Sequence, residues 1–166
     1  MRKNILVTKL LTKHFDMNST FNDGISSYIS ILLYISSAKK FKNYFDNNDC
    51  GEQLVLFFWK YSNYQYDYYI DKNGIDKFLS DEDKDSFFIN NQKYGNNKET
   101  DVKKRFYVDD PVLIEHSNAA NKCRNPERVK LFFFWMYLEI KDGNNIIGIL
   151  NDQFLYPELY KKIINE

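Results

Sequence analysis

The chain has 166 residues, 43% of them hydrophobic and 17% aromatic, which is enough for one domain with a buried core and too little for two ordinary domains. Its 23 lysine and arginine residues balance its 23 aspartate and glutamate residues, which argues against a protein held to nucleic acid by its net charge. Two distant cysteines and only two histidines argue against a zinc site or a disulfide framework, and no apolar run approaches the roughly 20 residues of a membrane-spanning helix. We therefore expect an intracellular protein with no membrane partner.

The first 15 residues are basic and contain no acid. Such a segment fits a mitochondrial transit sequence or the first helix of the domain, and we favour the helix. A helix over residues 3–15 puts four aliphatic side chains on one stripe: Ile5, Leu6, Leu10 and Leu11. Lys9 and Lys13 then lie one turn apart on another face. The compartment stays open between the cytoplasm and the mitochondrion.

Longer apolar segments downstream also predict helices. Residues 25–38 and 52–66 are too long for strands, and the basic cluster at 39–42 ends the first of them with cations that suit a helix C-terminus. The segment 127–141 follows a proline, a residue that favours the start of a helix, and predicts a third long helix. A last short helix is expected around 157–164.

Two short segments between these helices predict strands. Residues 68–75 are β-branched and aromatic and are broken by Lys-Asn-Gly, which indicates a strand and a turn, and residues 105–108 form a second run. The polar segment 79–104 is expected to be an exposed, mobile insertion. The prediction is one domain over residues 1–166, of the α+β class and mainly α, with about five helices and a small two-stranded β element.

The sequence contains none of the common catalytic motifs G-x-S-x-G, Walker A, G-x-G-x-x-G or H-E-x-x-H. Three weaker motifs follow one another instead: Gly24-Ile25-Ser26-Ser27-Tyr28, the segment from Leu54 through Phe57-Phe58-Trp59-Lys60-Tyr61 to Tyr66-Asp67-Tyr68, and Asp109-Asp110-Pro111 with His116 following. In this order and spacing they resemble the central nucleotide-binding domain of the terminal nucleotidyltransferase family, the poly(A) polymerases and terminal uridylyltransferases. The resemblance covers nearly the whole chain.

The resemblance implies a site for the phosphates of a nucleotide. Lys9 and Lys13 match the paired lysines that neutralise the triphosphate in this family, and Ser27 matches a hydroxyl that hydrogen-bonds phosphate oxygens. Two ammonium groups one helical turn apart suit a polyphosphate. The alternatives are solvated surface lysines and a serine that only caps its helix.

The resemblance also implies a site for the base. Tyr28 matches the aromatic residue that stacks on the base, with core packing as its alternative. His116 matches the histidine with which uridylyl-transferring members bind the uracil edge and crowd out adenine, and its alternative is a solvated loop histidine. Asp110 matches an acid that orders the loop beside the base and so contributes to base selection. The family's asparagine directly follows the histidine, whereas Ser117 separates His116 from Asn118 here.

Catalysis in this family requires a palm lobe, in which a Gly-Ser turn and three carboxylates hold two divalent metal ions. No Gly-Ser or Gly-Gly dipeptide followed by an acid-x-acid strand occurs in this sequence, so we expect no catalytic residue, no metal site and no transfer by this chain alone. The resemblance therefore implies the nucleotide-binding half of an RNA 3′-terminal nucleotidyltransferase, with UTP favoured as substrate over ATP. Mg²⁺ or Mn²⁺ would bind only through the palm, supplied by another chain or by a part of the protein outside this sequence, and the RNA 3′ end is the other expected partner.

Two other interpretations stay open. The chain could be a catalytically inactive relative that serves as a structural or RNA-contacting subunit of a larger ribonucleoprotein assembly, with the basic cluster at 39–42 on the phosphate backbone. It could also be a helical interaction module that binds its partner through exposed aromatic side chains. A palm-bearing chain that co-purifies with this one would favour the enzyme.

Overall fold

The computed structural model describes residues 2–20, 24–42, 49–63, 68–78, 106–112 and 118–165. These residues form six helices and three short strands: α1 (Arg2–His14), α2 (Ser27–Lys40), α3 (Cys50–Ser62), β1 (Tyr68–Ile70), β2 (Asp76–Phe78), β3 (Tyr107–Val108), α4 (Pro126–Lys141), α5 (Ile146–Leu150) and α6 (Pro157–Asn165). The fold is α+β and mainly α, as the sequence predicts. The structure adds the short α5 and one strand to the expected elements, and the predicted insertion at 79–104 lies outside the described residues.

Side-chain caps set the starts of four helices. The residue before each helix accepts a hydrogen bond from a backbone N–H of the first turn, which satisfies one donor that the helix itself leaves unpaired. These caps are Ser26 for α2, Asp49 for α3, Asn125 for α4 and Asn145 for α5. Within the described ranges, no helix is long and apolar enough to cross a membrane.

Aromatic side chains of α3 and α4 form the centre of the core. Phe57, Phe58 and Tyr61 surround Phe133, with ring centroids 5.5, 5.9 and 6.1 Å from it. All four side chains are fully buried, and their tilted and edge-on contacts are the favoured geometries for aromatic pairs. Phe57, Phe58 and Tyr61 of the second sequence motif are therefore explained by packing, since they hold α3 against α4, whereas Trp59 of the same motif is 43% exposed.

A three-stranded sheet in the order β2-β1-β3 lies beside the helices. β1 pairs with β2 in antiparallel register and with β3 in parallel register, with Ile70 opposite Asp76 on one side and Val108 on the other. The backbone N–H of Asp109 donates to the carbonyl oxygen of Ile70 at 2.7 Å, which continues the pairing one residue past β3. This pairing fixes the position of the residues that follow β3, among them Asp110.

The side of α1 that faces the core is not the aliphatic stripe that the sequence predicts. Leu11 is fully buried, but Leu6 and Leu10 are 57% and 49% exposed. Lys9 and Lys13 are exposed on the same outward side as these two leucines. The expectation of one aliphatic stripe facing away from the lysines was therefore wrong.

Polar side chains take the place of these leucines on the buried face of α1. Asn4, Thr8 and Thr12 are each 3% exposed or less. The amide nitrogen of Asn4 donates to the Tyr34 hydroxyl at 2.7 Å and to the carbonyl oxygen of Cys50 at 2.8 Å. The two threonine hydroxyls donate to backbone carbonyl oxygens one turn earlier, at 2.9 and 3.1 Å. Because every one of these groups has a hydrogen-bond partner, their burial is tolerated.

Candidate nucleotide-binding site

The connection between α1 and α2 brings the end of the lysine-bearing helix to the start of α2. The backbone N–H of Met17 donates to the carbonyl oxygen of Thr12 at 2.7 Å, and the N–H of Ile25 donates to the carbonyl oxygen of Met17 at 2.8 Å. A Cβ atom on Gly24 would lie 2.6 Å from the carbonyl carbon of Met17 and closer still to its oxygen. Only glycine fits this close approach, which gives the first residue of the first motif a structural role.

Ser27 is the first residue of α2 and is not its cap. The cap is Ser26, whose side-chain oxygen accepts from the backbone N–H of Ile29 at 3.3 Å. The alternative interpretation of Ser27 as a capping serine is therefore wrong. Within the described part of the chain its half-buried hydroxyl has no hydrogen-bond partner. It lies at the positive end of a 14-residue helix, where an anion is stabilised.

Tyr28 and Asp110 are in direct contact, although 82 positions separate them in the sequence. The Tyr28 hydroxyl donates to Oδ1 of Asp110 at 2.8 Å. Partial burial of the hydroxyl, with the hydrogen bond to Asp110 and its negative charge, raises the pKa of Tyr28 to about 12. The phenol therefore stays protonated at neutral pH. Its ring is 41% exposed, so the core-packing alternative for Tyr28 is wrong.

Asp110 also orders the backbone that follows it. Its Oδ1 atom accepts from the N–H of Val112 at 2.9 Å, and in the described residues its second carboxylate oxygen, Oδ2, has no hydrogen-bond partner. One oxygen thus holds both the ring of Tyr28 and the turn after β3. The other remains as an acceptor beside the exposed ring.

Asn118 joins the two ends of the loop that begins at Asp109. Its side-chain oxygen accepts from the N–H groups of Val108 and Ala120 at 3.1 and 2.9 Å, and its amide nitrogen donates to the carbonyl oxygen of Phe106 at 2.9 Å. The side chain is 4% exposed, so all three bonds are shielded from water. Sequence reasoning noted Asn118 only as an asparagine displaced from the family pattern and missed this role.

A cavity of about 150 Å³ lies between α2 and the sheet, and Asp109 and Pro111, the two neighbours of Asp110 in the chain, are part of its lining. Its α2 wall is formed by side chains one, two and three turns after Tyr28 on the same face of the helix. The opposite side is formed by the ends of β1 and β3 and by the turn on either side of Asp110. The lining comprises Leu32, Ile35, Lys39, Ile70, Asp71, Lys72, Asn73, Gly74, Val108, Asp109 and Pro111. This volume is close to that of a cavity that holds a single six-membered ring.

The lysines of α1 and those of the basic cluster at 39–42 differ in whether they have partners within the described fold. In the described residues, the ammonium groups of Lys9 and Lys13 have no acidic partner and are exposed. Lys39 donates to the backbone carbonyl oxygen of Asn73, and Lys40 donates to Asp76 at 3.0 Å. The basic cluster at 39–42 is thus partly occupied inside the fold, whereas the two lysines of α1 are available to a ligand.

The structure brings Tyr28 and Asp110 together and places Ser27 directly beside Tyr28. His116 lies outside the described residues, so its predicted role in base selection stays a prediction. Among the residues that the structure describes, no three His, Cys, Asp or Glu side chains gather into a group able to hold a metal ion. No protein-family model, no curated protein and no solved structure matches this chain.

Proposed function

We propose that this chain is the nucleotide-binding half of an RNA 3′-terminal nucleotidyltransferase that uses UTP in preference to ATP. The observation that carries the proposal is the hydrogen bond between Tyr28 and Asp110, because it unites the first and third sequence motifs on one exposed surface. Core packing does not explain this contact, since both side chains are partly exposed and the aromatic ring lies outside the core.

The phosphate end of the nucleotide lies at the junction of α1 and α2 in this proposal. Lys9 and Lys13 are about 6 Å apart along the axis of α1, which is the rise of four helical residues and suits two groups of a triphosphate. Ser27 donates its hydroxyl to a phosphate oxygen at the N-terminus of α2, where the helix dipole favours negative charge. Neither role competes with a hydrogen bond already made within the described residues.

The base end lies on Tyr28. Stacking on an aromatic ring is tolerant of base identity and contributes roughly 1–3 kcal/mol. Selection then falls to hydrogen-bonding groups at the edge of the base. The Oδ2 atom of Asp110, for which the described residues offer no hydrogen-bond donor, accepts an N–H from the base edge, and His116 donates to a uracil carbonyl oxygen. The preference for uracil over the larger ring of adenine is the role that the family resemblance implies for His116.

The metal-dependent step belongs to a palm lobe outside this sequence. Mg²⁺ or Mn²⁺ would be held there and would activate the RNA 3′-hydroxyl and stabilise the leaving pyrophosphate. The present chain contributes the positions of the triphosphate and the base, so that the α-phosphorus meets the RNA 3′ end in a fixed orientation.

Titration calorimetry of the full chain with UTP and uridine tests this function. We expect Tyr28→Ala to weaken UTP binding by a factor of roughly 5–150, the equivalent of the stacking contribution. Tyr28→Phe retains the ring and loses only the hydrogen bond to Asp110, so its affinity for UTP should lie between those of the wild type and Tyr28→Ala. Lys9→Gln with Lys13→Gln should weaken UTP binding and leave uridine binding unchanged.

A matched control is Tyr156, whose hydroxyl also donates to an aspartate, Asp142. Tyr156→Phe should leave UTP affinity unchanged because this pair is formed by α4 and the segment before α6. Wild-type protein that binds neither UTP nor ATP would contradict the proposal and favour the catalytically inactive structural subunit.

A further inference from the structure

The cavity between α2 and the sheet has no role in the proposed nucleotide site. Its volume of about 150 Å³ matches one six-membered ring. Five of the side chains that line it are apolar, and two of these, Ile70 and Val108, are buried side by side on neighbouring strands. The other three are Leu32, Ile35 and Pro111. A lining of this kind, with few polar groups, is typical of a small-molecule site.

Lys39 supplies a cation to this cavity. Its ammonium group donates to the backbone carbonyl oxygen of Asn73, which ties the end of α2 to the turn between β1 and β2. An ammonium group has three N–H donors, and in the described residues no acidic side chain pairs with Lys39. Since hydrogen bonds from a cation to an anionic oxygen are shorter and stronger than those to a neutral one, Lys39 is suited to an anionic group of a ligand.

The turn between β1 and β2 holds Lys39 beside the apolar lining. Gly74 has a φ of +72°, a conformation that glycine adopts without strain. A Cβ atom at this position would lie 3.5 Å from Cδ of Lys39 and 3.7 Å from Cγ2 of Ile35. The stem of Lys39 and the side chain of Ile35 thus lie against the same turn, and the cation and the apolar lining belong to one site.

The charges around the cavity favour an anion. Lys39 and Lys72 line it together with Asp71 and Asp109. The Asp71 carboxylate is fully engaged, since one oxygen accepts from two backbone N–H groups of the turn at 2.8 and 2.9 Å and the other lies 3.1 Å from the ammonium group of Lys77. With Lys77 included, three cations stand against two carboxylates, and the net charge of the surroundings is positive.

We propose that this cavity binds a small carboxylate that carries a single six-membered ring. The ring lies among the apolar side chains, and the carboxylate accepts a hydrogen bond from Lys39. The inference does not rest on the proposed function, because Lys39 and the apolar lining take no part in the contacts assigned to the triphosphate and the base. It assigns a second, separate ligand site to the chain.

Titration of the full chain with benzoate, followed by the NMR shifts of backbone amides, tests this site. Benzyl alcohol and benzylamine carry the same ring with a neutral and a cationic group. We expect benzoate to shift the amides of the turn at 71–74 and to bind at least about tenfold more tightly than benzyl alcohol. Equal affinities of these two, tighter binding of benzylamine, or no shift with any of the three would overturn the proposal.

Two variants assign the binding to the cavity. Lys39→Met removes the ammonium group and keeps an unbranched side chain, so it should abolish the preference for benzoate over benzyl alcohol. Its matched control is Lys42→Met, which removes the same charge from the basic cluster at a residue outside the lining. Benzoate affinity that is unchanged in Lys39→Met would overturn the proposal.

Ile35→Phe fills the space of the ring and should weaken benzoate binding at least about tenfold. Ile147→Phe, at a side chain that is 72% exposed elsewhere, is its control and should leave the affinity unchanged. Urea unfolding shows whether Ile35→Phe is folded, and a folded variant with wild-type affinity for benzoate would overturn the proposal. If this variant does not fold, the comparison of Lys39→Met with Lys42→Met decides.

UTP titration of the same proteins separates this inference from the proposed function. Lys39→Met should leave UTP affinity unchanged, and uridine should not displace benzoate. A chain that binds benzoate through Lys39 but binds no nucleotide would keep the cavity site and contradict the function. Displacement of benzoate by uridine would overturn the inference, because the cavity would then be part of the base site.

Discussion

The ammonium group of Lys60 lies 2.8 Å from the carboxylate of Asp76, in a position where the lysine is only 7% exposed. Lys60 also donates to the hydroxyl of Ser36 at 2.8 Å, and Lys40 reaches the other oxygen of Asp76 at 3.0 Å. This cluster ties α2, α3 and β2 together. Burial alone would raise the pKa of Asp76, but the hydrogen bonds and charges of the two lysines hold that pKa below its usual value.

Lys60 should make stability depend on pH above neutrality. Burial lowers its pKa to about 8 and outweighs the opposing effect of Asp76. Between pH 8 and about 10.5 the unfolded chain therefore binds more protons at Lys60 than the folded chain, so the free energy of unfolding rises with pH on account of this group. We expect a rise of about 2 kcal/mol between pH 7 and 10 relative to Lys60→Met, measured by urea unfolding of both proteins. If the free energies of unfolding of the wild type and Lys60→Met changed in parallel with pH, the lowered pKa of Lys60 would be contradicted.

A small substitution at Glu139 should cause a large loss of stability. It is fully buried, and its two oxygens accept from the Trp135 indole at 2.9 Å, from the Asn144 amide at 2.7 Å, and from the backbone N–H groups of Leu155 and Tyr156 at 3.0 and 2.8 Å. Glu139→Gln turns one acceptor into a donor that faces other donors, so it should cost about 2–4 kcal/mol in urea unfolding. The loss should appear first as faster hydrogen exchange at residues 155 and 156. Wild-type stability in this variant would show that the carboxylate is dispensable.

Asn118→Ala should destabilise the loop that carries Asp110. It removes the hydrogen bonds of Asn118 with the buried N–H groups of Val108 and Ala120 and with the carbonyl oxygen of Phe106, which costs about 2–3 kcal/mol. UTP affinity should fall as well, because Asp110 then loses its fixed position beside Tyr28. Asn151→Ala, at an exposed asparagine that ends α5, is the control and should change neither quantity by more than about 0.5 kcal/mol. Unfolding free energies and UTP titrations of both variants provide the comparison.

The long helices could be predicted from the sequence because their determinants are local. The helix expected at 127–141 is found as α4, and its start at Pro126 is set by the cap of Asn125. The five-residue α5 was missed because it is too short to show a periodic pattern. The parallel pairing of β1 with β3 joins segments almost forty residues apart, and no local signal specifies it.

The residues of the candidate site also separate into those with local sequence signals and those brought together by tertiary packing. Lys9, Lys13, Ser27 and Tyr28 could be named as candidates from the sequence because each pair is adjacent or one helical turn apart, and their roles stay predictions. The contact of Tyr28 with Asp110 depends on the packing of α2 beside β3, so only the structure could show it. The exposure of Leu6 was missed because hydrophobic periodicity cannot tell which stripe of a helix will be buried when polar residues on the other side find hydrogen-bond partners.

His116 should determine the preference for UTP over ATP. In the proposed enzyme, assembled with a palm-bearing partner, His116→Ala is expected to raise ATP use relative to UTP by roughly fivefold to tenfold, the equivalent of one net hydrogen bond. His14, the second histidine of the chain, supplies the control, because it lies on α1 next to Asp152 at 3.5 Å. His14→Ala should leave the ratio unchanged. An unchanged ratio in His116→Ala would remove His116 from base selection.

Two glycine-to-alanine substitutions should change stability in opposite directions. At Gly24 the added methyl group would overlap the backbone carbonyl of Met17, which cannot move without breaking its hydrogen bond to Ile25. We expect Gly24→Ala to cost about 2–4 kcal/mol and to weaken UTP binding, since the start of α2 shifts with the clash. At Gly51, in the first turn of α3, the nearest atom to a new methyl group is a side-chain oxygen of Asp49 at 3.4 Å, an ordinary contact. Gly51→Ala should stabilise the protein by about 0.5 kcal/mol, because alanine loses less backbone entropy in a helix.

Urea unfolding and UTP titration of both variants check this pair. If Gly24→Ala proved as stable as the wild type, the close approach of residues 17 and 24 would not exist. The link that brings the lysine end of α1 to Ser27 would then be absent as well. If it unfolded readily but still bound UTP with wild-type affinity under folding conditions, the turn would support the fold without positioning the phosphate site. If Gly24 positions the phosphate site, Gly24→Ala should lose both stability and UTP affinity. Gly51→Ala should retain both.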